Sequence, residues 1–312
     1  MKRQACLAAG LGLLLVAVAA IAAPDAPAPP AAPAAPAQEA AMPPLKPSAP
    51  APALLPYAPM SDERIAPIET FKKEAPPLAA AFEKGTHTSS LGETMPYRLY
   101  RPKVEPGKKY PLVLFLHGSS GSGTDNERQL DRANWFGSLV WALPGNQKRH
   151  PCFILAPQSD VNWPPVRLIP DQLPEILPGL GAGARQALEI LDALLSREPI
   201  DRKRIYVTGH SMGGAGTWHM LAQRPDLFAA GVPVAGRAHL ESAKAAAKVP
   251  VWNFHGVKDD VEPVETSRLI LATLQASGGK PIYTEYPEVE HNSFMWAYTE
   301  PALVDWLFAQ HR

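Results

Sequence analysis

Apolar residues along this chain follow two rhythms. Short runs rich in Val, Ile, Leu, Phe and Tyr recur at residues 97–100, 112–116, 153–156, 205–208, 231–234, 251–254 and 282–286. Their brevity and composition predict strands, and the runs without polar alternation predict strands buried on both faces. A spacing of three and four fills several of the gaps. It is carried by Ala184, Ala187, Leu188, Leu191, Leu194 and Leu195 before the fourth run and by residues 215–222 after it. Val264, Leu269, Ile270 and Leu274 follow the sixth run, and Leu303, Trp306 and Leu307 follow the last. Each such stretch puts one apolar stripe on a helix. Strands alternating with helices predict an α/β fold, a doubly wound and mostly parallel sheet with its site beyond the strand C-termini.

The ends of the chain set the context. Met1-Lys2-Arg3, an apolar stretch from about Leu7 to Ala20 and the small-x-small pattern Ala20-Ile21-Ala22 predict a secretory leader at 1–22. The stretch is too short to span a bilayer, so no stable membrane span is expected after cleavage, and the mature protein is expected to be secreted or periplasmic. Residues 23–60 are dominated by Ala and Pro. Such a segment buries too little apolar surface to offset its ordering entropy, which predicts a spacer reaching about 100 Å when stretched. Residues 61–312 then form one catalytic domain. Without the leader, Cys152 is the one cysteine left; it opens an apolar run and reads as a core residue. Over the whole chain 30 basic side chains balance 30 acidic ones, which points to neither nucleic acid nor an anionic membrane as partner.

The most specific local signal is Gly209-His210-Ser211-Met212-Gly213, set between the strand-like 205–208 and the helical 215–222. A Gly-x-Ser-x-Gly turn in that context exposes the serine hydroxyl on a bend too tight for a Cβ at either glycine. A serine needs a histidine to take its proton and a carboxylate to orient that histidine, and in this arrangement they follow in the order serine, acid, histidine. Among the later histidines, His219 lies in the helix after the turn and His239 in a polar segment. His255 closes a strand and His311 sits at the terminus. His291, in a polar loop after 282–286, is the expected base. The acid is expected in His255-Gly256-Val257-Lys258-Asp259-Asp260-Val261-Glu262, where Asp259 is preferred and Asp260 is the alternative. The remaining carboxylates, Glu262 included, are expected to cap the next helix or face solvent.

An oxyanion site needs two backbone N–H groups. Met212, directly after the serine, is one candidate. Ser119 is the other, in the Gly/Ser-rich exit of 112–116, which lacks the Gly-Lys-Ser/Thr of a phosphate-binding loop. The segments Leu114-Phe115-Leu116-His117-Gly118, Gly123-Thr124-Asp125-Asn126, Asp201 through Gly214, Phe254-His255-Gly256 with Asp259, and His291-Asn292-Ser293 together resemble α/β-hydrolase serine esterases. The closest likeness is to the subgroup labelled predicted peptidase or dienelactone-hydrolase-like, similar to polyhydroxybutyrate-depolymerase-type and feruloyl-esterase-type enzymes. The resemblance spans about Phe82 to the C-terminus. It implies Ser211 as nucleophile, Asp259 as acid and His291 as base, with no cofactor and no metal. Glu262 departs from it, since relatives tend to carry an apolar residue before the proline.

Residues 235–250 leave no room for a large cap domain, so the site is expected to be open and suited to bulky or polymer-attached esters. The Pro-rich stretch 158–180 is the expected partial cover. Trp163 within it, and Phe294 and Trp296 beside His291, are candidates for a substrate-binding wall. The leading expectation is a carboxylic-ester hydrolase. A peptidase or amidase using the same groups is the alternative, and a non-catalytic wall- or polymer-binding protein is the remaining one.

Overall fold

The structure, a computed structural model, describes residues 62–131, 133–170 and 172–312. The expected leader and spacer lie outside the described residues. Among the described residues no helix is long and apolar enough to cross a membrane.

Among the described residues there are ten strands: β1 (Glu83–Thr88), β2 (Thr94–Tyr100), β3 (Tyr110–Leu116), β4 (Phe153–Pro157), β5 (Val166–Arg167), β6 (Glu175–Ile176), β7 (Ile200–His210), β8 (Ala230–Val234), β9 (Trp252–Gly256) and β10 (Ile282–Tyr286). The helices are α1 (Asp62–Glu74), α2 (Asn134–Leu139), α3 (Pro144–Arg149), α4 (Ala182–Arg197), α5 (Met212–Gln223), α6 (Leu240–Ala245), α7 (Val264–Ala276), α8 (Phe294–Tyr298) and α9 (Leu303–Ala309). Eight strands form one sheet in the order β1-β2-β4-β3-β7-β8-β9-β10. From β4 to β10 the pairings are parallel, and β1 and β2 run antiparallel at one edge. The separate β5–β6 hairpin belongs to the Pro-rich stretch.

The central strands are buried on both faces, as their uninterrupted apolar runs require. Every residue of β3, β4, β8 and β9 is buried. The strand period of two divides β3 between two cores. Leu112, Leu114 and Leu116 pack with the apolar stripes of α4, α5 and α7. Val113 and Phe115 pack on the other side with α2, α8 and α9. Cys152 lies fully buried in that second core, and burial pushes its thiol up to about 12.

Two features were not legible in the apolar pattern. β1 reads Glu-Lys-Gly-Thr-His-Thr, a polar edge strand whose burial pattern contains no fully buried position. β7 is longer than expected because residues 200–204 continue it past a register irregularity against Tyr110 and Leu112.

Candidate active site

The site gathers at the C-terminal ends of β3, β7, β9 and β10. β7 and α5 meet at Ser211, which caps α5 with φ 54 and ψ −123, a sparsely populated conformation for a residue with a side chain. The Ser211 N–H is held by the Val234 carbonyl at 2.9 Å, at the end of β8. A Cβ on Gly213 would lie 1.9 Å from the Leu116 carbonyl oxygen, and one on Gly209 would lie 2.4 Å from it. The elbow is pressed against β3 too closely for any other residue.

His291 follows β10 at the start of a short 3-10 turn and faces the serine. Its Nε2 lies 2.9 Å from Ser211 Oγ, and its Nδ1 lies 2.8 Å from Asp259 Oδ2 and 3.0 Å from Oδ1. A carboxylate only accepts, so Nδ1 carries the proton and Nε2 accepts from the serine hydroxyl. The Asp259 side chain is wholly buried. Its Oδ1 also accepts the backbone N–H groups of Val261 at 2.9 Å and Glu262 at 2.8 Å. Burial alone would raise this carboxyl. Hydrogen bonds from His255, His291 and the Glu262 N–H outweigh it and hold the group well below the usual carboxylate range. Asp260, the alternative, is exposed. The structure thus brings Ser211, His291 and Asp259 into one hydrogen-bonded chain and leaves Asp260 outside it.

Ser119 opens a 3-10 turn after β3, and Met212 is the first residue of α5. Among the described residues the backbone N–H groups of Ser119 and Met212 find no acceptor, as the first turn of a helix leaves them. The loop carrying Ser119 is fastened by groups that no motif in the sequence marks. Asn134 Oδ1 accepts the Gly118 N–H at 3.1 Å, and Asn134 Nδ2 donates to the Arg128 carbonyl at 2.9 Å. Gln158 Nε2 donates to the Gly121 carbonyl at 3.1 Å. Buried His117 donates from Nδ1 to the Gly118 carbonyl at 2.8 Å and accepts the Ser159 N–H at Nε2. Burial lowers His117 to about 4, with the Gly118 hydrogen bond opposing, so it is neutral and its tautomer is set by these two partners. The one hint of this in the sequence is position: His117 sits directly before the Gly/Ser run.

The three wall candidates separate. Trp163 is fully buried, with its indole N–H donated to the His117 carbonyl at 2.9 Å and its ring against Gly216 and Gly183. It supports the loop from beneath and lines no open surface, a correction to the expectation from sequence. Trp296 is also buried, in the core beside Tyr286. Phe294 is half-buried and packs on the His210 ring with centroids 4.6 Å apart, next to the serine. Of the three it alone is not buried. Burial, with His291 and His117 nearby, lowers His210 to about 3 and keeps it neutral.

Glu262 neither caps α7 nor faces solvent. It forms an ion pair with Arg237, both side chains being largely buried, and Arg237 Nη1 also donates to the Pro174 carbonyl at 2.9 Å. Arg237 thereby ties the 158–180 stretch to the segment carrying Asp259. Between β8 and β9 stand only α6 and a 3-10 turn, so no cap domain covers the site from there. A groove of about 630 Å³ elsewhere, lined by Thr70, Phe71, Leu143, Tyr298 and Val304 among others, includes no residue of the serine-histidine-aspartate chain.

Known proteins bear the same stamp. Residues 181–250, which hold the elbow, match the prolyl oligopeptidase family, a family of serine hydrolases. A solved thermostable esterase superposes with a TM-score of 0.69 at 38% identity, over 75% of this chain and 64% of that one. The chain has the α/β-hydrolase fold. Cutinase 2 of Thermobifida cellulosilytica is 38% identical to this chain over 176 residues, 50% of this chain and 66% of the cutinase. The bifunctional acetylxylan esterase/xylanase XynS20E of Neocallimastix patriciarum is 38% identical over 73 residues, 23% of this chain and 11% of that protein. The matches therefore take in 66% of the length of the cutinase and 11% of that of the bifunctional protein.

Proposed function

We propose that this α/β-hydrolase is a secreted or periplasmic serine carboxylesterase working through an acyl-enzyme. The observation that carries the reading is the unbroken chain from Ser211 Oγ through His291 to the buried Asp259 carboxylate, beside two unengaged backbone N–H groups. Ser211 Oγ attacks the ester carbonyl as His291 Nε2 takes its proton. Asp259 stays ionised and stabilises the imidazolium. The Ser119 and Met212 N–H groups meet the oxyanion, each such donor being worth about 10²–10³ in kcat. His291 then passes its proton to the departing alcohol, and water, deprotonated by the same ring, releases the acid.

Esterases and cutinases among the relatives support an ester substrate, and the absence of a cap between β8 and β9 supports a bulky one. Val161, Leu168, Leu173 and Leu180 project into solvent from the stretch around the β5–β6 hairpin, which fits an apolar acyl or polymeric partner. The test is hydrolysis of p-nitrophenyl acetate, butyrate and octanoate and of a feruloyl ester, with Ser211→Ala as control. Activity that vanishes in the variant supports the esterase; a variant equal to its parent sinks the reading. The match of residues 181–250 to a peptidase family favours a second reading, peptide or amide hydrolysis by the same groups, and p-nitroanilide substrates in the same assay separate the two.

A further inference from the structure

His255 is the one other histidine on the triad acid, and it is fully buried. Its Nε2 lies 2.7 Å from the Glu262 carbonyl oxygen and 3.3 Å from Asp259 Oδ2. Its Nδ1 lies 2.7 Å from Ser267 Oγ on α7. Ser267 Oγ in turn lies 3.1 Å from Asn253 Nδ2 on β9, and Ser267 and Asn253 are both fully buried.

With one proton on the ring, a single arrangement satisfies these contacts. A carbonyl oxygen accepts, so His255 Nε2 must carry the hydrogen and Nδ1 must accept it from the Ser267 hydroxyl. The serine oxygen is then free to accept from the Asn253 amide. The chain Asn253 to Ser267 to His255 to Glu262 then has a single direction and holds the ring in a fixed tautomer. Its far end grips the peptide that shapes the acid: the Glu262 carbonyl takes the His255 hydrogen, while the Glu262 N–H donates to Asp259 Oδ1 at 2.8 Å. The same Nε2–H lies near Oδ2, the oxygen that meets His291.

We propose that His255 is a positioning residue for the triad. Held by Ser267 and Asn253, it locks the turn 259–262 and so aims the Asp259 carboxylate at His291. This rests on the esterase reading for its kinetic consequence, though not for its structural one. The role differs from plain core packing, because it depends on the Nε2–H donor rather than on the volume of the ring. His255→Leu fills much of the space and removes both hydrogen bonds. His255→Gln can return one donor to the Glu262 carbonyl.

The experiment compares parent, His255→Leu, His255→Gln and Ser267→Ala. Two readouts bear on the inference: kcat and KM on p-nitrophenyl butyrate, and the far-downfield proton resonance of the His291 Nδ1–H facing Asp259. Melting temperature and circular dichroism establish that each variant is folded. At metal sites, loss of a partner that orients a ligand costs about 10–100-fold, and the same range is taken for a partner that orients a triad acid. We expect His255→Leu to lose that much kcat at near-constant KM and to lose or shift the downfield proton. His255→Gln should recover much of both, and Ser267→Ala should fall between. A folded His255→Leu with parental kcat and an unmoved proton overturns the proposal, as does a Gln variant no better than Leu. If His255→Leu does not fold, the Gln and Ser267→Ala variants decide by the same two readouts. If the parent hydrolyses no ester, the functional reading fails while the proton resonance still decides this one.

Discussion

Replacing Asp259 by Asn probes the hydrogen-bond chain where the surroundings constrain the answer most. Oδ1 accepts two backbone N–H groups, from Val261 at 2.9 Å and Glu262 at 2.8 Å. An amide NH₂ cannot sit there, because donors would face donors. The asparagine oxygen is therefore kept on that side and the NH₂ takes the place of Oδ2, which is 2.8 Å from His291 Nδ1. His291 must then accept at Nδ1, and its proton moves to Nε2, pointing at Ser211 Oγ 2.9 Å away. A ring in that tautomer cannot take the serine proton. The wrong tautomer in a serine triad costs about 10⁴-fold in kcat, which is about 5 kcal/mol of barrier. The fold should survive, since both backbone donors keep an acceptor. Exchanging hydrogen bonds to a charged oxygen for neutral ones costs about 1–2 kcal/mol, a fall in Tm of about 2–8 °C for a domain of this size. The assay is initial rates on p-nitrophenyl butyrate beside a thermal melt, for Asp259→Asn and Asp260→Asn in parallel. An Asp259→Asn enzyme keeping more than a tenth of parental kcat, or an Asp260→Asn enzyme losing more than it does, refutes the reasoning.

Further consequences follow from other contacts. Gly213→Ala places a methyl 1.9 Å from a carbonyl of the central strand β3, so the urea midpoint should fall by an amount worth about 3 kcal/mol or more; a parental midpoint contradicts the close approach. Arg237→Ala removes the tie to Pro174 and strands the Glu262 carboxyl, whose pKa burial already raises. Limited proteolysis within 158–180 should then quicken, and an unchanged cleavage rate means that the tie holds nothing. Glu189 on α4 feels some desolvation, but hydrogen bonds from Ser90, His87 and Arg185 outweigh it and lower its carboxyl from 4.5 to about 2. A folded value below the unfolded one stabilises at higher pH and is lost as pH falls. Glu189→Gln should therefore be less stable than its parent at pH 7 and lose less of its stability between about pH 4.5 and 2. Parallel stability curves for the two proteins over that interval would count against the network.

Much of the architecture was written in local pattern. The seven apolar runs fall on strands of the main sheet, with residue 251 just ahead of β9, because a strand buried on both faces has few residues that are not apolar. Ser211 was legible for a similar reason: a strand, a tight glycine turn and a helix follow one another without a break, so all the geometry that exposes the hydroxyl is contiguous. The order of acid and base came from topology, since successive parallel strands deliver their following loops to the same edge. β1 escaped notice because an edge strand of polar residues looks like a loop.

The rest depends on how distant parts of the chain pack. Asp259 and Asp260 are adjacent and chemically alike, and the choice between them rests on which carboxylate the Val261 and Glu262 N–H groups turn inward. Trp163, an aromatic residue in a Pro-rich stretch, could as well have faced a substrate; its burial depends on Gly183 and Gly216, distant in sequence, leaving room for the ring. Arg237 with Glu262, and Asn253 with Ser267 and His255, are pairings across separate elements whose partners carry no mark in the chain. Which residues could do the chemistry was readable along the chain, because periodicity and turn chemistry are local. The tertiary structure decided how those residues are aimed, because aim depends on hydrogen bonds that close only when β9, α7 and the loops beyond the sheet are packed together.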